Sequence, residues 1–217
     1  MKKYIYIIPI ALISILISCK KSDSPEDYGA FIKDKSWWGT FSNAGENNQY
    51  YSVHFNADSS LLWSQLSGDY AGKWTLEGNK LTLNFTALAV KITAEISDDN
   101  MLLNISTNSP NKVYTGKLNE NTDNLLDNTV WKEAINKPSA IQLSFFSSLK
   151  VEAKMGSITY TKIPYTRSSS GFIRFTPAFN IIFFGVFTSD TELSGSYVDS
   201  GHSWQIIKQL KLLSNNH

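Results

Sequence analysis

The chain has 217 residues and carries 20 Lys and Arg against 19 Asp and Glu, so its charges almost cancel. A hydrophobic content of 42% with only 18% charged residues excludes a disordered chain, and the balanced charge argues against nucleic-acid binding. The single cysteine excludes an internal disulfide and a cysteine-rich zinc site.

The N-terminus has the composition of a secretory signal. Lys2 and Lys3 form a short positive region, and Tyr4 to Ile17 is an uncharged, almost wholly apolar stretch. About 14 helical residues reach roughly 21 Å, which is less than the ~30 Å hydrocarbon core of a bilayer. The stretch therefore predicts a signal peptide over 1–18 rather than a permanent membrane span.

The signal ends in Leu16-Ile17-Ser18-Cys19, which resembles the lipobox of bacterial lipoproteins. The resemblance implies that Cys19 is lipidated, becomes the first residue of the mature chain and holds it on a membrane through acyl chains. Residues 19–30 then form a lipidated, mostly polar tether. We expect a lipoprotein anchored in the outer membrane, at its periplasmic face or at the cell surface.

The remainder of the chain shows an internal duplication. Three pairs of segments align at nearly constant offsets: 34–38 with 127–131, 51–55 with 141–145, and 95–99 with 186–190. They predict two homologous units, 31–119 and 125–213, joined by a polar, turn-rich linker. A single interlocked domain built from two halves is the alternative.

Each unit has the pattern of short strands joined by tight turns. Tyr51, Val53 and Phe55 alternate with polar residues, and the same period of two recurs along the unit. About eight strands fit in each unit, and no segment after the signal has a helical period. The pattern predicts an all-β fold of two tandem antiparallel barrels.

The first strand of each unit supplies an Asp-x-x-x-Trp pattern, Asp34 to Trp38 and Asp127 to Trp131. With the rhythm of the following strands, this pattern resembles the lipocalin-like, calycin-type domains of Bacteroidetes lipoproteins. The resemblance implies small antiparallel barrels, and larger relatives hold apolar small molecules. Eight short strands with large apolar residues inside favour interiors filled by side chains, with a ligand cavity as the alternative.

The residues offer little support for catalysis. The three histidines, His54, His202 and His217, do not have metal-ligand spacing, and we find no nucleophile or phosphate-binding motif. Asp98-Asp99-Asn100 is typical of a hairpin turn. We therefore predict no catalytic or metal-binding residue, no cofactor and no enzymatic activity, with a hydrolase as the less favoured alternative.

The duplication indicates a candidate interface. Lys91, Thr93 and Glu95 of the first unit correspond to Ile182, Phe184 and Val186 in the second. The strand around Phe184 is thus apolar on both faces, and such a strand needs cover on both. We expect its outer row to pack against the first unit; binding of a partner protein or an apolar ligand is the alternative.

Adjacent tryptophans in a strand point to opposite faces. Trp38 aligns with Trp131 and is expected in the core, so Trp37 is expected to face outward and join the interface or stack on a glycan. The sequence as a whole favours non-catalytic binding of a small apolar ligand, a glycan or an envelope protein. A protein-interaction or inhibitor module with filled barrels is the alternative.

Overall fold

A computed structural model describes residues 27–41, 49–88, 90–97, 100–106, 112–119, 126–133, 140–168, 171–198 and 204–215. These ranges hold sixteen strands and two short 3-10 helices. The predicted all-β, antiparallel barrel architecture is confirmed. Neither of these helices has the length and hydropathy of a membrane span.

The first barrel is closed by eight antiparallel strands in sequence order, with β8 pairing back onto β1. The strands are β1 (Lys35–Phe41), β2 (Gln49–Phe55), β3 (Ser60–Gln65), β4 (Gly68–Glu77), β5 (Lys80–Phe85), β6 (Val90–Ser97), β7 (Asn100–Ser106) and β8 (Lys112–Asn119). One 3-10 helix, Tyr28–Phe31, precedes β1, and the other, Thr86–Leu88, follows β5.

The second barrel repeats this order, and β16 pairs back onto β9. Its strands are β9 (Thr129–Glu133), β10 (Ile141–Phe146), β11 (Lys150–Met155), β12 (Ile158–Arg167), β13 (Phe172–Ala178), β14 (Ile181–Ser189), β15 (Glu192–Val198) and β16 (Trp204–Asn215). The two narrowest pairings, β9 with β10 and β12 with β13, have three residue pairs each. Lys162, with a φ of 56°, lies at the β-bulge in the pairing of β12 with β11, and the nearby Pro164 donates no ladder hydrogen bond.

Both barrels begin with the same turn. Asp34 before β1 and Asn128 before β9 have φ values of 54° and 60°, a left-handed conformation that Asp and Asn tolerate better than most residues. In each turn a backbone N–H at the strand start donates to a carbonyl 3.1 Å away, that of Ile32 or Leu126. Asp34 is therefore the structural counterpart of Asn128.

Side chains fill the interior of each barrel. In the first barrel the rings of Tyr51 and Trp63 are stacked with centroids 4.0 Å apart. In the second, the rings of Phe175 and Phe183 are stacked at 4.7 Å. Burying an aromatic or large aliphatic side chain contributes about 1.5–3 kcal/mol, so these two clusters are the main source of stability in each barrel.

Candidate functional site at the contact between the barrels

A third apolar cluster lies outside both barrels, where their outer faces meet. We call it the inter-barrel cluster. It consists of five buried residues with three partly buried ones packed against them: Tyr50, Leu66, Phe172, Phe184 and Val186, with Trp38, Ile182 and Val198. The first barrel contributes β1, β2 and the turn after β3, and the second contributes β13–β15.

The candidate interface residues of β14 lie in this cluster. Phe184 and Val186 are fully buried and Ile182 is half-buried, whereas their counterparts Lys91, Thr93 and Glu95 on β6 are exposed. The ring of Phe184 stacks on that of Phe172 at 5.1 Å. The outer row of β14 is therefore covered by the first barrel.

Close backbone packing under the cluster depends on a glycine. Gly185 of β14 and Gly195 of β15 are direct partners across the two strands. A Cβ atom at Gly195 would lie 2.5 Å from the Phe184 carbonyl oxygen, closer than any real contact allows. Glycine at 195 therefore lets β15 approach the backbone that presents Phe184.

Arg174 of β13 makes the main polar contact between the barrels. Its guanidinium donates to both carboxylate oxygens of Asp69, at 2.8 and 3.1 Å, and to the carbonyl oxygens of Gln65 and Gly68, at 2.6 and 3.3 Å. The same group lies 5.5 Å from the centroid of the Phe184 ring, within cation–π range. Arg174 thus connects the apolar cluster to the β3–β4 turn.

The contact with Arg174 favours the ionised form of Asp69. Burial works against ionisation of the carboxyl group, but hydrogen bonding and the positive charge of Arg174 outweigh burial, and the pKa of Asp69 lies below its ordinary value. The ion pair is partly solvated, because 43% of the Asp69 side chain is exposed. The contact is therefore a positioning interaction more than a large source of stability.

Two serines of β15 form a second polar contact. The backbone N–H of Tyr50 donates to Ser196 Oγ at 3.1 Å. Burial raises the pKa of the Tyr50 phenol, and a hydrogen bond with Ser194 partly offsets that shift. Ser194 and Ser196 are both buried, so these hydroxyls satisfy polar groups that the cluster removes from water.

The expectation that Trp37 faces outward is wrong. Trp37 is fully buried in the first barrel, with its indole N–H donating to the Phe31 carbonyl at 3.0 Å. Trp38 is the outward residue, and its ring lies 6.3 Å from Tyr50 in the inter-barrel cluster. The structural counterpart of Trp131 is Trp37, because the turns before the two strands align Asp34 with Asn128 and not with Asp127.

No cluster of three or more His, Cys, Asp or Glu side chains suited to a metal ion occurs among the described residues. His54 shares a 2.9 Å hydrogen bond with Ser36 Oγ on the outer face of the first barrel. Other residues singled out from the sequence lie outside the described ranges: Cys19, Asp98, Asp99, His202 and His217.

The outer surface of the first barrel also carries a concavity of about 480 Å³ across β4, β5 and β6, on strands that take no part in the inter-barrel cluster. Hydroxyl, carboxylate and ammonium groups line it: Thr75 and Thr82, Glu77 and Glu95, and Lys80. A second concavity, of about 360 Å³, lies on β9 and β10 of the second barrel.

Sequence reasoning missed Arg174 and Tyr50. A weak signal existed for Arg174, because a charged residue interrupts the otherwise apolar Phe172-Ile173 and Phe175 run of β13. Its partners lie more than 100 residues away in the chain, and only the docking of the barrels brings them together.

Comparison with known proteins adds no identity to this geometry: no protein-family model, curated protein or solved structure matches the chain.

Proposed function

We propose that the chain is a cell-envelope lipoprotein, anchored through acyl chains on Cys19, whose lipocalin-like barrels bind an envelope protein without catalysing a reaction. Binding uses the outer surfaces, since the side chains inside both barrels are closely packed. This choice rests on the stacking of Tyr51 on Trp63 inside the first barrel and of Phe175 on Phe183 inside the second. A ligand inside a barrel would have to displace rings whose burial is worth about 1.5–3 kcal/mol each.

The anchor is tested by labelling cells with a fatty acid analogue. The wild-type protein is expected to take up label and to accumulate as an uncleaved form with globomycin, whereas Cys19→Ser takes up none. Equal labelling of both proteins, or none in either, contradicts the anchor.

The binding mode is tested in two ways. Palmitate, as an apolar probe, is expected to leave the Tm unchanged, and a rise with palmitate concentration would instead favour an internal ligand site. A photoreactive residue in place of the exposed Thr75 is expected to form a discrete protein adduct in cells, whereas one in place of the buried Leu83 forms none. Adduct formation at neither or at both positions contradicts binding through the outer surface.

The concavity across β4–β6 favours a glycan as a second candidate. Its hydroxyls, carboxylates and ammonium group offer the donors and acceptors that sugar hydroxyls require. An array of neutral oligosaccharides tests this candidate: Glu77→Gln should weaken any binding, whereas Lys150→Gln, on the other barrel, should not.

A further inference from the structure

Exposed apolar side chains collect at one end of the second barrel. Phe146, Leu149 and Leu213 are 44%, 54% and 59% exposed, and the half-buried Val130 lies beside them. Val130 and Phe146 line the same shallow concavity on β9 and β10. Leu213 lies at an irregularity of β16 next to Val130, and Leu149 is in the turn after β10. We call these four residues the apolar tip.

The barrel fold itself does not require this apolar surface. In the first barrel, the structural counterparts of Val130 and Phe146 are Ser36 and Asn56. Ser36 hydrogen-bonds to His54 at 2.9 Å, and Asn56 donates to Ser60 Oγ at 2.8 Å. The same surface is therefore polar in one barrel and apolar in the other, which marks the second as a contact surface.

A row of lysines borders the apolar tip. Lys211, Lys132, Gln142 and Lys154 are consecutive partners across four strands. Lys132 and Lys211 are direct neighbours, and like charges in that relation are destabilising unless an anion compensates them. Glu192 lies 4.0 Å from Lys211, and Glu152 lies level with Val130 through the pairing of both strands with Ser144, so two carboxylates stand against three lysines.

The N-terminal tether joins the first barrel at the end that holds the start of β1, and the apolar tip lies at the equivalent end of the second barrel, beside the start of β9. The tether meets the first barrel at the start of β1, where Ser36 is paired with Asn119 at the end of β8. From Asn119 the chain leads to the start of β9, at the end of the second barrel that carries Leu149. The segment from Cys19 to Asp27 can span about 28 Å when extended.

We propose that the apolar tip docks on the surface of an anionic lipid bilayer, the one in which the tether is anchored. The apolar side chains enter the boundary between head groups and acyl chains, and the lysine row meets lipid phosphates about two residues farther along the strands. This inference rests on the proposed anchor at Cys19. Docking orients the lipoprotein with the second barrel against the membrane and the first barrel's β4–β6 concavity available to a partner.

Single cysteines placed by substitution test the orientation, because acylation blocks the only natural cysteine. The lipidated protein carrying Phe146→Cys, labelled with an environment-sensitive fluorophore, is bound to vesicles with about one-third anionic lipid. Its emission should shift to shorter wavelength only with vesicles present. Phe179→Cys is the matched control: Phe179 is 89% exposed, but the β13–β14 turn places it at the opposite end of the barrel. Leu149→Cys is the second reporter if Phe146→Cys misfolds.

The lysine row gives an independent readout. Each of Lys132→Gln and Lys154→Gln should weaken the vesicle-dependent shift about fivefold on anionic vesicles and leave it unchanged on neutral ones. If the protein floats with vesicles but the fluorophore at 146 keeps the emission it has in water, docking is overturned and the anchor is intact. A shift at 179 instead of 146 also overturns docking by the tip and indicates that the opposite end of the barrel meets the membrane. A shift at 146 that needs no vesicles and grows with protein concentration overturns it too, and indicates binding to a second copy of the chain.

Failure of the anchor gives a different result. Protein that does not float with vesicles and whose Cys19 reacts with the fluorophore lacks the acyl chain. Docking then still predicts a shift at 146 at high concentrations of anionic vesicles, and its absence overturns the inference.

Discussion

Arg174 in the second barrel donates hydrogen bonds to both carboxylate oxygens of Asp69 in the first, at 2.8 and 3.1 Å. The pair joins residues from opposite halves of the chain, and the arginine lies 5.3 and 5.5 Å from the ring centroids of Phe172 and Phe184 in the inter-barrel cluster. Their mutual position follows from the docking of two separately closed sheets.

Arg174→Ala is expected to destabilise the protein more than Asp69→Ala. The arginine also donates to two carbonyl oxygens and covers the ring of Phe184, whereas the aspartate is 43% exposed. We expect a loss of about 1.5–3 kcal/mol for Arg174→Ala and about 0.5–1 kcal/mol for Asp69→Ala. Urea unfolding of both variants and of the double variant measures the two losses and their coupling. Equal losses for the single variants would contradict the role of the carbonyl contacts.

The Asp69 contact is expected to make stability depend on pH. Because the pKa of Asp69 is lowered in the folded state, its contribution is present above the unfolded pKa of about 3.9 and disappears as the pH falls through the folded value. The Tm of wild type should therefore exceed that of Asp69→Asn at neutral pH, and the difference should vanish in acid. A difference that grows on acidification has the wrong sign for this interpretation.

Phe184→Ser is expected to loosen the contact between the barrels. The substitution removes a fully buried ring and places a hydroxyl in the cluster, at a cost of about 3–5 kcal/mol. Because the loss falls on the contact, calorimetry should resolve the melting of the barrels into two transitions. Thr93→Ala, at the exposed counterpart on β6, should change stability by less than about 0.5 kcal/mol. Unaltered melting of Phe184→Ser would show that the barrels do not stabilise each other.

Trp37→Phe should destabilise the protein more than Trp38→Phe, which is the reverse of the order expected from the sequence. Trp37 is fully buried and loses its hydrogen bond to the Phe31 carbonyl, whereas Trp38 is half-buried at the inter-barrel cluster. We expect a loss of about 1–3 kcal/mol at Trp37 and under about 1 kcal/mol at Trp38, measured by urea unfolding. A larger loss at Trp38 would argue against the placement of Trp37 inside the barrel.

Many strands were readable from the sequence because one of their faces is buried and the other is exposed to solvent. In β6 the buried Ile92, Ala94 and Ile96 alternate with exposed polar residues, whereas the two-sided apolar pattern around Phe184 pointed to a strand covered on both faces. The tryptophan register was not readable. The alignment of Trp38 with Trp131 is one residue out of register, and a slip of one residue in a strand exchanges its two faces.

The left-handed turn that shows the correct alignment is difficult to recognise in the sequence. Asp34 and Asn128 occupy equivalent backbone positions, but Asp127 beside Asn128 offers an equally plausible alignment. The position of Arg174 was beyond sequence reasoning for a different reason. Two of its partners are backbone carbonyls, which no side-chain pattern marks, and the third, Asp69, lies 105 residues away in the chain.

The contact between the barrels joins unlike surfaces: β1, β2 and the turn after β3 of one, and β13–β15 of the other. Such a heterologous association can in principle continue, because each added unit presents the surface that the next one needs, and filaments form this way. Here Thr93 stands on the first barrel where Phe184 stands on the second, and Lys132 stands on the second where Trp38 stands on the first. At these equivalent positions, polar side chains replace the apolar ones that a further barrel would need in order to dock in the same way.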